Sequence, residues 1–284
     1  MLGEARVPTA RALRCDRIEA ARAGLETFAS PWVLKADGLA AGKGVLVTED
    51  RDEALAFLEA CLAGGAFGES GRVVVIEEFL TGEEASVMAV CDGERFVLLP
   101  AARDFKRARE GDEGPNTGGM GALAPHPGVD AALEEEVAAR IVRPVLERMR
   151  IRGTPFRGVL YCGLMLTNEG PRVIEFNARF GDPETQVVLP LIDGSLGTLL
   201  ASAAGGALDL AAIARRGGAA LAVALTDERY PEGAGEGARI EGLEACEARE
   251  GLTVFCAAVA PEAGGWRVTG GRAAYVTATG RDLE

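Results

Sequence analysis

Apolar positions change period several times along the chain, and each change marks an element. Residues 18–29 (IEAARAGLETFA) space apolar side chains at helical intervals. Ser30-Pro31 closes that helix, because the residue before a proline is pushed out of the α region. WVLKA then reads as a short strand, followed by a glycine-rich turn and a second strand, VLVT. Thr48-Glu49-Asp50 opens a helix over 52–63, its acids suited to the positive end of the dipole. RVVVIEEFL (72–80) is a strand, and ASVMAVCDG with ERFVLLPA makes a hairpin about Asp92-Gly93. Segment 103–128 is polar, rich in Gly and Pro, and is expected to be a long functional or disordered loop. A helix spans 130–150, with a kink or break at Pro144. GVLYCGLMLT and PRVIEFNA form an antiparallel pair about Asn168-Glu169-Gly170, and a helix runs from 184 to 203. Beyond Gly205-Gly206 and Gly217-Gly218 come short strands (AALAVALT, LTVFCAAVA, WRVTGG, AAYVTATG), expected as a small β-rich domain from near 215. No internal repeat is visible.

Composition narrows the chemistry. With 284 residues, 48% of them hydrophobic, the chain can build a substantial core. Asp+Glu (43) exceed Lys+Arg (30), and the formal charge of -13 repels phosphate backbones. Nucleic acid is therefore not expected as a partner, although a small phosphate ligand needs only a local cluster of donors. The six cysteines are scattered without a C-x-x-C pair, as expected of reduced, mostly buried thiols. No apolar run approaches the ~18 residues that span a membrane. The start, MLGEARVPTARALRCDR, lacks the apolar centre of a signal peptide. The expectation is a cytoplasmic protein with no membrane partner.

Several constellations carry candidate chemistry. Lys35-Ala36-Asp37-Gly38-Leu39-Ala40-Ala41-Gly42-Lys43-Gly44 lies between two strands, where glycines admit a polyphosphate and two lysines supply charge. It is not a Walker A loop: only three residues separate Gly38 from Gly42, and Gly44 stands where Ser or Thr would bind magnesium. A plain glycine-rich hairpin is the alternative. In VIEEFLTGEEAS (75–86), Glu77, Glu78, Phe79 and Leu80 offer backbone groups and apolar walls to an adenine, and Glu84 an acceptor to ribose. The alternative is an ordinary strand end with solvated acids. In Val173-Ile174-Glu175-Phe176-Asn177, period-two alternation puts Glu175 and Asn177 on one face and Ile174 and Phe176 in the core. That oxygen-only pair suits Mg²⁺ or Mn²⁺, or else is a solvated polar face.

Two further loops accompany these. Arg179-Phe180-Gly181-Asp182-Pro183-Glu184-Thr185-Gln186 follows the Glu175 strand and brings an arginine and carboxylates to a substrate. Pro115-Asn116-Thr117-Gly118-Gly119-Met120-Gly121 is expected to offer free backbone N–H groups and an Asn/Thr pair to an anion or amino acid, or to be a flexible lid. His126, the single histidine, sits between two prolines and is expected at a surface turn, which leaves no Ser–His–Asp triad.

Taken in order, KADGLAAGKG, EEFLTGEEAS, GPNTGGMGA and VIEFNARFGDPETQ resemble the phosphoribosylamine–glycine ligases, also called glycinamide ribonucleotide synthetases. The resemblance covers nearly the whole chain. It implies an α+β ATP-grasp fold, two α+β subdomains clasping ATP, followed by a small β-rich C-terminal domain. The expected divisions are 1–76, a small subdomain with an N-terminal helical remnant; 77–214, the large subdomain; and 215–284. It also implies a purine-biosynthesis ligase using ATP, glycine and 5-phosphoribosylamine through glycyl phosphate. Lys35, Gly38, Gly42, Lys43 and Gly44 would hold phosphates, Glu77 to Leu80 the adenine, Glu84 the ribose, and Glu175 with Asn177 the metal. Arg179, Asp182, Glu184, Asn116 and Thr117 are the candidates for the other two substrates.

Family members begin with a Rossmann-like domain of roughly a hundred residues carrying a G-G-R-E-H-type motif, which nothing here matches. A fragment or one half of a split enzyme is expected, with a separately encoded N-terminal domain as a partner. Phe105 in RDFKR departs from the family, where histidine or tyrosine is common. Two other readings stay open: an ATP-grasp carboxylate–amine ligase with another acceptor, and a non-catalytic ATP-binding module.

Overall fold

The computed structural model describes residues 2–38, 44–111, 113–233 and 235–283. Contacts divide the chain into two compact units, Thr9–Gly82 and Met1–Pro8 with Glu83–Glu284. The larger unit opens with one helical turn, α1 (Leu2–Ala5).

The smaller unit runs β1 (Ala12–Cys15), α2 (Ile18–Leu25), β2 (Trp32–Ala36), β3 (Val45–Thr48), α3 (Arg51–Leu62), β4 (Val74–Glu78). Its strands form an antiparallel sheet in the order β1-β4-β2-β3. Alternation sorts the two faces. Trp32, Leu34, Val74 and Ile76 are buried with Ala21, Leu25, Ala54 and Leu58 of the helices. Lys35 and Glu77 are thereby left on the opposite face. Asp50 caps α3 by accepting from the N–H groups of Asp52 and Glu53, a bond worth about 1 kcal/mol.

The larger unit continues with β5 (Glu83–Asp92), β6 (Phe96–Leu98), β7 (Arg103–Arg109), β8 (Glu113–Ala124), α4 (Ala131–Val137) and α5 (Arg143–Ile151). Next come β9 (Arg157–Thr167), β10 (Gly170–Asn177), α6 (Glu184–Val188), β11 (Ile192–Gly194), α7 (Leu196–Gly205), β12 (Ile213–Arg215) and β13 (Ala219–Thr226). The chain ends with β14 (Arg239–Ile240), α8 (Leu243–Glu247), β15 (Leu252–Cys256), β16 (Val259–Glu262), β17 (Gly265–Val268) and β18 (Arg272–Gly280). Two sheets dominate: β10-β9-β5-β6 and β15-β18-β13-β8-β7. One face of the first packs Val87, Ala89, Leu160, Cys162 and Leu164 on Ile141, Val145 and Leu146 of the helical stretch. Its other face packs Met88, Val90 and Tyr161 on Val187, Leu199 and the inner residues Ala122, Ala220 and Ala222 of the second sheet.

Several elements differ from the sequence reading. Segment 103–128 is not a loop but β7 and β8, paired antiparallel. Both faces of β7 carry polar residues and β8 is glycine-rich, so neither shows an apolar alternation. The helix over 184–203 is broken, because Pro190 has no N–H for the ladder. The chain passes through a 3₁₀ turn (Leu189–Leu191) and β11 before Ser195 caps α7. The stretch 130–150 contains a π turn, Ala138–Val142, just before Pro144 enters the first turn of α5. LTVFCAAVA splits into β15 and β16, which lie in different sheets.

The units also divide the chain elsewhere than at 76/77 and 214/215. Residues before Thr9 join the larger unit, and β13, β15 and β18 share a sheet with β7 and β8. Hydrogen bonding across that sheet ties the C-terminal strands to the middle of the chain. Among the described residues no helix is long and apolar enough to cross a membrane.

Candidate active site

In the smaller unit the turn after β2 is closed by Ala36 N–H donating to Gly44 O (2.8 Å) and Asp37 N–H to Val73 O (2.9 Å). A Cβ on Gly38 would lie 2.5 Å from Ser70 Oγ and 2.8 Å from Ser70 Cα, so this approach requires glycine. Gly42 and Lys43 lie outside the described residues. Lys35 Nζ stands 2.8 Å from Glu77 Oε2 on the face turned away from the helices. Glu78 accepts from Arg11, backbone N–H to Oε1 at 2.9 Å and Nε to Oε2 at 2.6 Å. Phe79 follows β4 with 44% of its surface exposed, and Leu80 is half-buried.

In the larger unit the feature of most interest is one end of the β10-β9-β5 sheet. Ser86 pairs with Gly163 and Gly163 with Glu175, while Met88 pairs with Tyr161 and Tyr161 with Asn177. Register therefore puts Glu175 and Asn177 on the face that carries Ser86 and Tyr161. The Asn177 amide donates to Glu175 Oε1 at 3.1 Å. A bulge falls between Val173 and Glu175 and corrects one expectation. Val173, not Ile174, accompanies Phe176 in the core cluster, because the extra residue resets the alternation. Gly163 keeps the neighbouring space open, since a Cβ there would stand 3.1 Å from Glu175 Cγ.

Strand β7 brings an ammonium to this face. Lys106 Nζ lies 2.5 Å from Glu84 Oε2 and 3.8 Å from Asp104 Oδ2. Burial opposes its charge, but Asp104, Glu84 and Glu175 together raise its pKa. Burial also pushes the Asp104 carboxyl up to about 6, against the pull of Lys106. Glu84, expected at a ribose, is thus engaged by Lys106. Phe105 points the other way, 38% exposed, with the Arg103 guanidinium 5.3 Å from its ring centroid.

Glu184 is buried rather than displayed on its loop. Its Oε1 accepts from Ser86 Oγ (2.9 Å) and Tyr161 OH (2.7 Å). Burial, foremost, together with the nearby Glu184 charge raises the Tyr161 pKa, so the phenol stays protonated. A Cβ on Gly181 would lie 2.5 Å from Glu184 Oε2, so glycine is what lets the 179–183 loop fold over this carboxylate. Arg179 is exposed and gives one N–H to Phe180 O at 2.8 Å.

The glycine motif in β8 also differs from expectation, for its amides are not free. Gly118 N–H donates to Tyr230 OH (3.1 Å) and Gly119 N–H to Thr117 Oγ1 (3.0 Å), while Thr117 Oγ1 donates to Lys106 O (2.8 Å). The Thr117 hydroxyl is therefore used inside the β7–β8 pair, and Asn116 is the exposed polar side chain of the motif. Arg272 of β18 holds the neighbourhood together. It donates to Gly118 O (2.6 Å), Gly119 O (3.3 Å), Tyr275 OH and Asp182 Oδ2 (2.9 Å). Asp182 Oδ1 accepts in turn from Gln186 (2.8 Å).

His126 is buried, not at a surface turn. Its Nε2–H faces Glu84 O (3.0 Å) and Nδ1 accepts from Gly128 N–H (2.9 Å), a pattern of the neutral ring. Burial lowers its pKa accordingly. Sequence reasoning missed Lys106, Asp104, Ser86, Tyr161 and Arg272. The Asp104/Lys106 spacing, two apart within RDFKR, was the one available signal.

Two α+β units, one with a glycine-rich strand turn and one with paired oxygen donors on a sheet face, define an ATP-grasp fold. Solved structures share it. The N5-carboxyaminoimidazole ribonucleotide synthetase of Thermus thermophilus matches with TM-score 0.67 at 21% identity, over 99% of this chain and 66% of that one. The chain belongs to the family described as phosphoribosylglycinamide synthetase, ATP-grasp (A) domain, which matches residues 1–185. A phosphoribosylamine–glycine ligase of Streptomyces coelicolor is 47% identical over 280 residues, 98% of this chain and 65% of the relative. The crystal structure of the Thermotoga maritima phosphoribosylamine–glycine ligase matches with TM-score 0.87 at 33% identity, covering 99% of this chain and 70% of that one. The chain thus spans less than two thirds of the first relative's length.

Proposed function

We propose that this chain carries the phosphoryl-transfer centre of a phosphoribosylamine–glycine ligase, converting ATP, glycine and 5-phosphoribosylamine to ADP, phosphate and glycinamide ribonucleotide. The observation that carries the reading is the Glu175–Asn177 pair, in mutual contact on the sheet face where Lys106 pairs with Glu84. The named activity of relatives above 40% identity supports it.

The donor set fits Mg²⁺ or Mn²⁺. A carboxylate and an amide supply hard oxygens, and turning the Asn177 amide presents its oxygen beside Glu175. When bound, such a cation neutralises charge on the transferring phosphoryl group. The chain's own residues do the rest. Lys106 adds a fixed positive charge next to the metal ligands, held in place by Glu84 and Asp104. Glycine's carboxylate oxygen attacks the γ-phosphorus and ADP leaves. The amine of phosphoribosylamine then attacks the acyl carbon of glycyl phosphate, and phosphate leaves as the amine gives up a proton. Arg179, Asp182 and Asn116 lie exposed around the same strands as the candidates for orienting these two substrates. Thr117 and Glu184, both committed to internal hydrogen bonds, act as positioning residues. In the smaller unit, Lys35, Gly38, Gly42, Lys43 and Gly44 are proposed to hold phosphates. The strand end Glu77–Leu80 is proposed to receive the adenine, with Phe79 as an open apolar surface, and Glu84 the ribose.

The test is ADP release that depends on both glycine and phosphoribosylamine. It is run on this chain alone and with the remaining part of a relative supplied as a second polypeptide. Glu175→Gln should lower turnover at least 100-fold and weaken Mn²⁺ binding read by paramagnetic resonance. Absence of substrate-dependent ADP release under both conditions would sink the ligase reading. MgATP binding without turnover would favour a non-catalytic nucleotide module instead.

A further inference from the structure

The glycine motif of β8 and the loop through Asp182 are joined by one side chain of β18. Opposite Lys106 the β7–β8 ladder steps from Phe105–Gly121 to Arg107–Asn116, so residues 117–120 bulge out of it. Gly118 and Gly119 have no side chains with which to fix that bulge, and Arg272 supplies the bonds instead. Its Nη1 donates to Gly118 O (2.6 Å), to Gly119 O (3.3 Å) and to the Tyr275 hydroxyl, and its Nη2 to Asp182 Oδ2 (2.9 Å). Tyr275 is buried, and the guanidinium carbon stands 5.7 Å from its ring centroid. At the other end of the bulge, Thr117 Oγ1 donates to Lys106 O at 2.8 Å. A continuous chain of contacts thus runs from Asp182 through Arg272 and the bulge to the backbone of Lys106.

We propose that Arg272 is a positioning residue for the amino-acid substrate, fixing Asp182 and the 117–120 bulge in one geometry. The proposal rests on the ligase reading of this site. Only 21% of the Arg272 side chain is exposed, whereas half of the Asp182 side chain is open. Inside the protein the Asp182 oxygens accept from Arg272 and Gln186, which leaves the open side for a further donor. Such a carboxylate attracts the ammonium of glycine and repels the phosphate of phosphoribosylamine. An exposed carboxylate needs a fixed direction to orient a substrate, and the guanidinium gives it one. Its planar fork reaches two carbonyls and a carboxylate at once, which the point charge of a lysine cannot do.

Equilibrium dialysis of radiolabelled glycine against the full chain, loaded with Mg²⁺ and a non-hydrolysable ATP analogue, tests this. Arg272→Gln and Arg272→Lys should each weaken glycine binding about tenfold or more, with affinity for the analogue changed less than about twofold. Lysine keeps the charge, so it separates the fork from simple electrostatics. Asp182→Asn, at an exposed position, should give the same split between glycine and nucleotide without touching the clamp's own residue. Adding Arg272→Lys to Asp182→Asn should weaken glycine less than about twofold further, because both changes act through one carboxylate. With glycine bound by the parent, three results would each overturn the proposal alone. They are parent-like glycine binding by Arg272→Lys, additive losses in the double variant, or a parallel fall in glycine and nucleotide affinity, which a purely structural role produces. Absence of glycine binding by the parent would instead remove the substrate assignment itself, and the proposal with it.

Discussion

Asp92 shows how one buried carboxylate can fasten distant segments. Burial opposes its ionisation, yet N–H groups of Leu208, Arg95 and Glu94 and the Arg95 guanidinium hold its pKa at about 2. Because the folded value lies below the ordinary 3.8, the stabilisation is complete above pH 4 and is lost as pH falls toward 2. Asp92→Asn should cost about 2–3 kcal/mol near neutrality, since an amide leaves N–H groups facing N–H. Urea unfolding of both proteins from pH 2 to 7 checks this: the difference between them should shrink as acid protonates the parent. The Asp92-Gly93 dipeptide was readable as a hairpin signal, and it is one. Its bond to Leu208, 116 positions away, was not readable, because nothing local encodes it. The same holds for His126, whose flanking prolines suggest a surface turn while Glu84 and Gly128 satisfy both ring nitrogens inside.

At the scale of elements, glycine is used where β8 and the 179–186 loop approach each other. Gly119 has φ +114°, a Cβ there would overlap Pro183 Cδ, and a Cβ on Gly118 would lie 2.8 Å from the Arg272 guanidinium. Gly119→Ala should therefore destabilise the larger unit by about 2 kcal/mol or more, combining strain with overpacking. Hydrogen exchange should report faster opening in β8 and the 179–186 loop, with β1–β4 unchanged. An unaltered exchange pattern would contradict the packing account. The motif was legible as glycine-rich but misread as an open loop. Its amides are consumed by Thr117 and by Tyr230, a residue more than a hundred positions later. Likewise the bulge in β10 cannot be seen in VIEFN, whose alternation alone assigns the core to Ile174.

For the whole molecule, ligand linkage offers the broadest check on the nucleotide reading. A ligand that binds only the folded state at a hundred times its Kd adds about 2.7 kcal/mol. MgATP should raise the melting temperature of this chain by several degrees, ATP with chelator much less, and Glu175→Gln should abolish the metal-dependent part. Equal shifts with and without metal would remove Glu175 and Asn177 from the site.

What the sequence determined by itself was the local and the short-range. The ordered motifs carried the family and the ATP-grasp fold, and period-two spacing put Glu175 and Asn177 on one face, because strand geometry fixes the direction of alternate side chains. Only the tertiary structure brought Lys106, Asp104 and Glu84 to that face, buried Glu184 under Ser86 and Tyr161, and set Arg272 across Gly118, Gly119 and Asp182. It also joined the C-terminal strands to β7 and β8. Those arrangements depend on sheet register and on pairings between residues tens to more than a hundred positions apart, which no local window of sequence contains.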